Sequence, residues 1–228
     1  MALNVVMLGP PGAGKGTQAG VFAQKHGLPK ISTGDMLRDA VKQRLPLAML
    51  AKTVMDRGEL VDDDTMIEIV RERLTRPDTR AGFVLDGFPR TVVQGRALDG
   101  IVAARDDGPL TIVDIVVPEE ELVRRLAARR ICSKCGTNAD AGDSVCRRCG
   151  ATLVYRTDDD ERVVRERLRV YAQQSKPLLD YYCGRPTFRA VNGAQSPERV
   201  AQEVEAAILD AARGRARPSV EAQEQRVR

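Results

Sequence analysis

The sequence predicts an α/β protein of three layers, in which a parallel five-stranded sheet lies between helices and two insertions rise from that core. Three observations predict it. Five short apolar runs, 4–9, 28–32, 82–86, 110–117 and 187–192, read as strands. Amphipathic stretches of helical period separate them, and strands that alternate with helices form parallel sheets covered on both faces. A glycine-rich loop, Gly9-Pro10-Pro11-Gly12-Ala13-Gly14-Lys15-Gly16-Thr17, stands where the first strand hands over to the first helix.

That loop follows the apolar run Val5-Val6-Met7-Leu8. Strand, glycine-rich turn and helix start, in that order, make a phosphate cradle, a P-loop. The glycines let backbone N–H groups converge on an anion without Cβ atoms in the way, and the helix N-terminus adds partial positive charge. Lys15 is then within reach of the terminal phosphates of a nucleoside triphosphate. Gly16 follows Lys15 where Ser or Thr usually stands, so the metal-binding hydroxyl is displaced to Thr17.

Further along, 62–76 reads as a helix, with Met66, Ile67, Val70 and Leu74 on one side and Asp62 to Asp64 at its start. Residues 158–182 read as another, opened by three aspartates. Two segments break the rhythm. Residues 33–61 run as successive helices without a strand, and 131–157 hold four cysteines and few large apolar residues. The stretch 213–228, with five Arg and no apolar periodicity, reads as a frayed tail.

The cysteines are two copies of one knuckle, Cys132-Ser133-Lys134-Cys135-Gly136 and Cys146-Arg147-Arg148-Cys149-Gly150. Two residues between cysteines let both thiolates bind one ion, and four such sulfurs form a closed tetrahedral Zn²⁺ site. A closed site has no position for substrate, so its role is structural. Disulfides and an iron centre are the alternatives. Cys183 is unmatched and reads as a partly buried bystander.

A chain of 228 residues can bury one sizeable core. Its 43% hydrophobic and 30% charged content describes a soluble globular protein. No apolar run approaches the ~20 residues of a membrane span, and the N-terminus passes directly into a strand without a secretory signal. The expectation is a cytoplasmic protein with reduced thiols and no membrane partner. A net charge of +4 does not point to nucleic acid. Because 29 residues are Arg and only 7 are Lys, one matching arginine proves little, whereas several together carry weight.

Several do match. The loop 9–17, Ser32-Thr33-Gly34-Asp35-Met36-Leu37-Arg38, and Gly82-Phe83-Val84-Leu85-Asp86-Gly87-Phe88-Pro89-Arg90-Thr91 with Gln94 occur in order. Arg129-Arg130 precede the cysteines, Arg156-Thr157-Asp158-Asp159 follow them, and Arg167 lies beyond. In these motifs the chain resembles the adenylate kinases of the bacterial, long-lid, zinc-containing type, from residue 3 to about 210. The resemblance implies a P-loop α/β/α core with a helical insertion over the monophosphate and a zinc-bearing lid over the triphosphate. On that pattern the core is 1–31, 62–127 and 161–212, the monophosphate-binding insertion is 32–61 and the lid is 128–160. It also implies reversible phosphoryl transfer from ATP to AMP, giving two ADP with Mg²⁺, by a monomer.

The chemistry needs in-line oxygens, offset charge and exclusion of water, but no covalent intermediate. By resemblance, Lys15 and the backbone of Gly12, Ala13, Gly14, Gly16 and Thr17 hold the ATP phosphates, and Arg38 and Arg90 hold the AMP phosphate. Arg129, Arg156 and Arg167 close around the transferring group, with Arg156 and Arg167 also reaching AMP. Guanidinium groups suit this work, since each chelates two oxygens without losing its proton. Asp86, at the end of an apolar strand, is expected to hold Mg²⁺ through water. Thr33 and Gln94 are expected to read the adenine of AMP, with Glu59, Leu60, Val61 and the turn Gly87, Phe88 and Pro89 completing that side. Arg125 is expected to lie against the adenine of ATP, near Gln195, with Asn138 and Ala139 touching the nucleotide from the lid. Asp158 and Asp159 are expected to pair with arginines on closure. The segment Arg44-Leu45-Pro46-Leu47 lacks a glycine that often loosens this turn in the family.

Two rival readings remain at this level. Another nucleoside monophosphate kinase, acting on UMP, CMP or GMP, is separated by a side-by-side assay of the four monophosphates. A nucleic-acid-dependent ATPase carrying a zinc ribbon is disfavoured by the absence of Trp and the 4% aromatic content, which leave few stacking platforms.

Overall fold

A computed structural model describes residues 2–43, 52–139, 142–156 and 159–214. The P-loop joins β1 (Leu3–Leu8) to α1 (Lys15–His26), followed by β2 (Lys30–Ser32) and α2 (Thr33–Lys42). Next come α3 (Asp63–Leu74), a 3-10 turn at Pro77–Thr79, β3 (Gly82–Asp86), α4 (Val92–Arg105), β4 (Leu110–Val116) and α5 (Glu119–Ala127). The short strands β5 (Arg130–Cys132) and β6 (Leu153–Tyr155) pair antiparallel in a two-stranded sheet of their own, and Ile131 of β5 also bridges Asn138. The chain closes with α6 (Glu161–Val170), α7 (Lys176–Cys183), β7 (Phe188–Asn192) and α8 (Pro197–Ala212).

The central sheet is parallel throughout, in the order β2-β3-β1-β4-β7. Its strands are apolar on both sides because both sides are covered. On one face Val6, Leu8, Phe83, Leu85 and Ile112 pack with Val70, Leu98, Leu178 and Tyr182 from α3, α4 and α7. On the other, Val5, Met7, Val84, Val113 and Ile115 meet Phe22 of α1, Leu122 of α5 and Val204 and Ile208 of α8. The predicted five strands and three layers are therefore present. The chain passes from β1 to β2 and β3 on one side of the first strand and then crosses from β3 to β4 on its other side, and a crevice opens at such a switch point, beyond the carboxyl ends of the strands.

The helix starts follow from their caps. Asp62 accepts from the Thr65 N–H at 2.8 Å, Thr91 from Gln94 at 3.2 Å, and Ser196 from Arg199 at 3.3 Å. The acids of 62–64 thus begin α3, and Met66, Val70 and Leu74 form its buried stripe, as the periodicity predicts, with Ile67 packed at the edge of the same core.

The helix read over 158–182 is present from Glu161 to Cys183, but its hydrogen-bond pattern changes midway. It divides into α6, a π-helical stretch at Tyr171–Ser175 and α7, with the Lys176 N–H reaching back five residues to the Tyr171 carbonyl. Pro177 has no N–H and sits in the first turn of α7, so the regular ladder cannot run through it and the preceding turn widens. Cys183 is exposed rather than partly buried, with its thiol donating to the Asp180 carbonyl at 3.4 Å at the end of α7. The expected tail from residue 215 onward, the segment 44–47, Thr157 and Asp158 lie outside the described residues.

Candidate active site

The P-loop turns over the end of β1. A Cβ at Gly9, where φ is +132°, would lie 2.6 Å from the Ile115 carbonyl, so only glycine lets the loop pass this close to β4. Gly14, at φ 94°, caps α1 in the left-handed region and aims the first N–H groups of the helix into the crevice. The Lys15 Nζ donates to the Gly9 and Pro10 carbonyls at 2.8 Å each. Burial pushes its pKa down to about 7, against the pull of Asp86 and with the push of Arg90, Arg167 and Arg129. Near neutral pH the group is thus divided between ammonium and amine, and a nearby anion would favour the ammonium.

Gly16, where a hydroxyl usually follows the lysine, lies against two charged side chains. A Cβ at Gly16 would sit 2.9 Å from Asp86 Oδ2, with the Lys30 Nζ 3.5 Å away. The end of β3 sets its carboxylate against the start of α1, so a side chain at this position would have to displace the Asp86 carboxylate. Asp86 is largely buried, and its Oδ2 pairs with the Lys30 Nζ at 3.8 Å.

Around the loop opens a cleft of about 2070 Å³. A pocket for one drug-sized ligand occupies roughly 300–1,000 Å³, so this one has room for two nucleotides. Gly12, Ala13, Gly14, Lys15, Gly16 and Thr17 line its floor, and Thr33, Arg38, Glu59, Leu60, Val61, Gly87, Pro89, Arg90 and Gln94 line one side. Arg125, Arg129, Asn138, Ala139, Arg156, Arg167 and Gln195 line the rest. Of the predicted residues, Phe88, Cys146 and Cys149 lie outside this lining. The Phe88 side chain is fully buried in the core and does not line the cleft, because a large apolar ring after Gly87 turns inward.

On the side expected to take AMP, the buried Thr33 hydroxyl and the Arg90 Nε both donate to the Gly87 carbonyl, at 3.0 and 2.8 Å. The Gln94 side chain is already partly committed. Its Oε1 accepts from the Arg90 N–H and its Nε2 donates to Asp63 Oδ1, both at 2.8 Å, and the Thr91 hydroxyl reaches the same Asp63 oxygen at 2.9 Å. Arg38 is held by Asp35 at 2.5 Å, one helical turn before it.

On the opposite side, Arg129 grips Asp159 through Nε–H at 2.7 Å and Nη2–H at 2.5 Å, and the Arg167 Nη1 donates to the same carboxylate at 3.0 Å. The Asp159 side chain is 3% exposed, so this ion cluster is nearly dry. Arg125 bridges Glu121 at 2.7 Å and the Gly193 carbonyl at 2.9 Å, which ties α5 to the loop after β7. The Gln195 Nε2 donates to the Asn192 carbonyl at 3.0 Å and to Glu203 at 3.1 Å.

The cysteine cluster lies between β5 and β6. The Sγ atoms of Cys132, Cys135, Cys146 and Cys149 all fall within 4.8 Å of one another, with Cys132–Cys149 at 3.4 Å and Cys135–Cys146 and Cys135–Cys149 at 3.6 Å. Four thiolates around an ion at ~2.3 Å are about 3.8 Å apart, so the cage fits tetrahedral Zn²⁺. Both knuckles turn under a backbone bond, from the Gly136 N–H to the Cys132 carbonyl at 3.0 Å and from Gly150 to Cys146 at 2.8 Å.

Sequence reasoning missed four residues at this site. Lys30 and Glu121 carried no motif, though Glu121 stands one turn before Arg125. Asp63 was read only as an acid of a helix start. Asp114 is the lone charge within the apolar run of β4, and that was its signal. It is 6% exposed, its Oδ1 has no hydrogen-bond partner among the described residues, and burial raises its pKa to about 6 against the pull of Lys15.

Fold, loop and cleft define a P-loop nucleotide-binding protein. A family model described as adenylate kinase matches residues 7–186. An adenylate kinase of Archaeoglobus fulgidus is 47% identical over 212 residues, spanning 90% of this chain and 98% of that protein. Those of a Geobacillus species and of Clostridium tetani are 45% and 41% identical over 208 residues, each spanning 89% of this chain and 96% of the relative. The chain belongs to the adenylate kinase family.

Proposed function

We propose that this cleft transfers the terminal phosphoryl group of ATP to AMP and works equally in reverse from two ADP. The observation that carries the reading is the convergence of the P-loop, Arg90, Arg129, Arg156 and Arg167 on one cleft with room for two nucleotides. Lys15 exchanges its bonds to the Gly9 and Pro10 carbonyls for phosphate oxygens, and the N–H groups of 12–17 complete the cradle. Arg38 and Arg90 hold the acceptor phosphate. Arg129 and Arg167 offset the charge that spreads over the moving phosphoryl, in a site where fixed donors need no reorganisation. Thr33 and Gln94 face the AMP base, and Arg125 lies along the base of ATP.

Asp86 and the Thr17 hydroxyl are the groups suited to hold Mg²⁺, with the carboxylate acting through water. When bound there, the ion would offset the negative charge of the phosphates. Zn²⁺ in the cysteine cage makes the flap of 128–160 stiff enough to move as one body. That flap and the insertion 32–61 close over the two nucleotides and keep out water, which would otherwise take the phosphoryl group. No helix among the described residues is long and apolar enough to cross a membrane. Four free thiols assembled for a metal suit a reducing compartment, which supports a cytoplasmic location.

The test is to mix protein, ATP, AMP and Mg²⁺ and count ADP, with UMP, CMP and GMP as parallel acceptors. Two ADP per turnover with AMP are expected. Release of inorganic phosphate at the same rate without AMP overturns the reading.

A further inference from the structure

Lys30 has no part in the reaction as described, yet its ammonium lies 3.8 Å from Asp86 Oδ2 and 3.5 Å from the place a Gly16 side chain would begin. It is the first residue of β2, an edge strand whose register sets Lys30 opposite Val84 and Ser32 opposite Asp86. The ammonium therefore reaches along the strand ends toward the carboxylate. It lines the cleft, and its side chain is 30% exposed.

We infer that Lys30 is a positioning residue that competes with the divalent cation for Asp86, so that the enzyme binds its metal more weakly than the carboxylate alone would. This rests on the reading of Asp86 as the metal-holding group. An ammonium 3.8 Å from one carboxylate oxygen, too far for a hydrogen bond, still offsets part of the carboxylate's charge before any metal arrives. The ammonium also repels a doubly charged ion brought to the same group, and in a half-enclosed site that repulsion is only partly screened. Gly16 strengthens the effect, because with no side chain in the gap nothing separates the ammonium from the carboxylate. The benefit of such a device is release: a metal held less firmly leaves more readily with its nucleotide.

The test is a pair of calorimetric titrations, with ATP alone and with MgATP, on wild type, Lys30→Gln, Lys30→Arg and Asp86→Asn. The ratio of the two affinities, with the known affinity of ATP for Mg²⁺, gives the metal affinity of the enzyme-bound nucleotide. Lys30→Gln is expected to bind MgATP about tenfold more tightly, about 1.4 kcal/mol, with ATP alone unchanged. Lys30→Arg keeps the charge and is expected to stay near wild type, and Asp86→Asn is expected to weaken MgATP alone. If Lys30→Gln leaves MgATP affinity unchanged while Asp86→Asn lowers it, the role of Lys30 is overturned and that of Asp86 stands. If Asp86→Asn has no effect on the ratio, the reading of Asp86 fails. A loss of metal-free ATP affinity in Lys30→Gln places the ammonium on phosphate instead and overturns the proposal.

Discussion

Arg129 and Asp159 are joined by two parallel hydrogen bonds of 2.7 and 2.5 Å, across thirty residues of chain that contain the whole cysteine cage. The pair closes the base of the flap, and Arg167 shares the carboxylate from α6. A buried guanidinium left without its partner is costly. Asp159→Asn therefore leaves two arginines misdirected, and turnover is expected to fall at least tenfold while AMP affinity, measured by calorimetry, changes little. A variant with wild-type kcat would show that the arginines are aimed by something else.

Arg90→Ala removes a donor aimed from the Gly87 turn into the cleft. The loss of one preorganised donor costs about 3 kcal/mol of transition-state stabilisation, or roughly 10²-fold in kcat. Thermal melting is expected to move far less than activity.

Lys15 connects nucleotide binding to protons. Its pKa of about 7 lies below that of a lysine in the unfolded chain, so the folded protein holds this proton less tightly. Stability contributed by this group is therefore lowest below pH 7 and rises with pH between about 7 and 10.5, because the unfolded state binds the extra proton there. Phosphate beside the ammonium raises the pKa again, so ATP binding at pH 8 is expected to take up close to one proton. Calorimetry in buffers of different ionisation enthalpy measures it, and no uptake would mean that Lys15 is already charged in the empty cleft.

Asp114 works in the opposite direction. Its carboxyl, raised to about 6, favours the neutral form when folded, so stability from this group is present below about pH 4 and is lost as pH rises through 6. Asp114→Asn is expected to raise stability at pH 7.5 by up to about 3 kcal/mol, since each tenfold loss of acidity on folding costs the ionised form ~1.4 kcal/mol. At pH 4 the same substitution is expected to change nothing. Denaturant unfolding at the two pH values checks the sign.

Removal of metal by a thiol-competitive chelator is expected to give a new, low-temperature melting transition, with activity lost as the flap unfolds. An unchanged melt after verified removal would count against a structural ion.

The strands and the cysteine cage were legible in the sequence because each rests on local pattern: apolar runs buried on both faces, and paired thiols at knuckle spacing. The P-loop was legible for the same reason, its nine residues being contiguous. What escaped depends on distance in the chain. Nothing near Lys30 announces that β2 places it against Asp86, fifty-six residues on. Gly16 read as a departure from the usual loop, and only the structure shows that it faces Asp86 and Lys30. The division of the helix over 158–182 had its cause in view at Pro177, but helical periodicity on both sides concealed it. Phe88 was placed at the site by its neighbours in the motif, whereas its hydrophobicity sends the ring inward.

Among the described residues β5 and β6 form a sheet apart from the central one, so the cysteine-bearing segment is a ribbon of its own. Evolution can therefore lengthen, shorten or recharge the ten residues between its knuckles without disturbing the catalytic floor, so long as four sulfurs still meet.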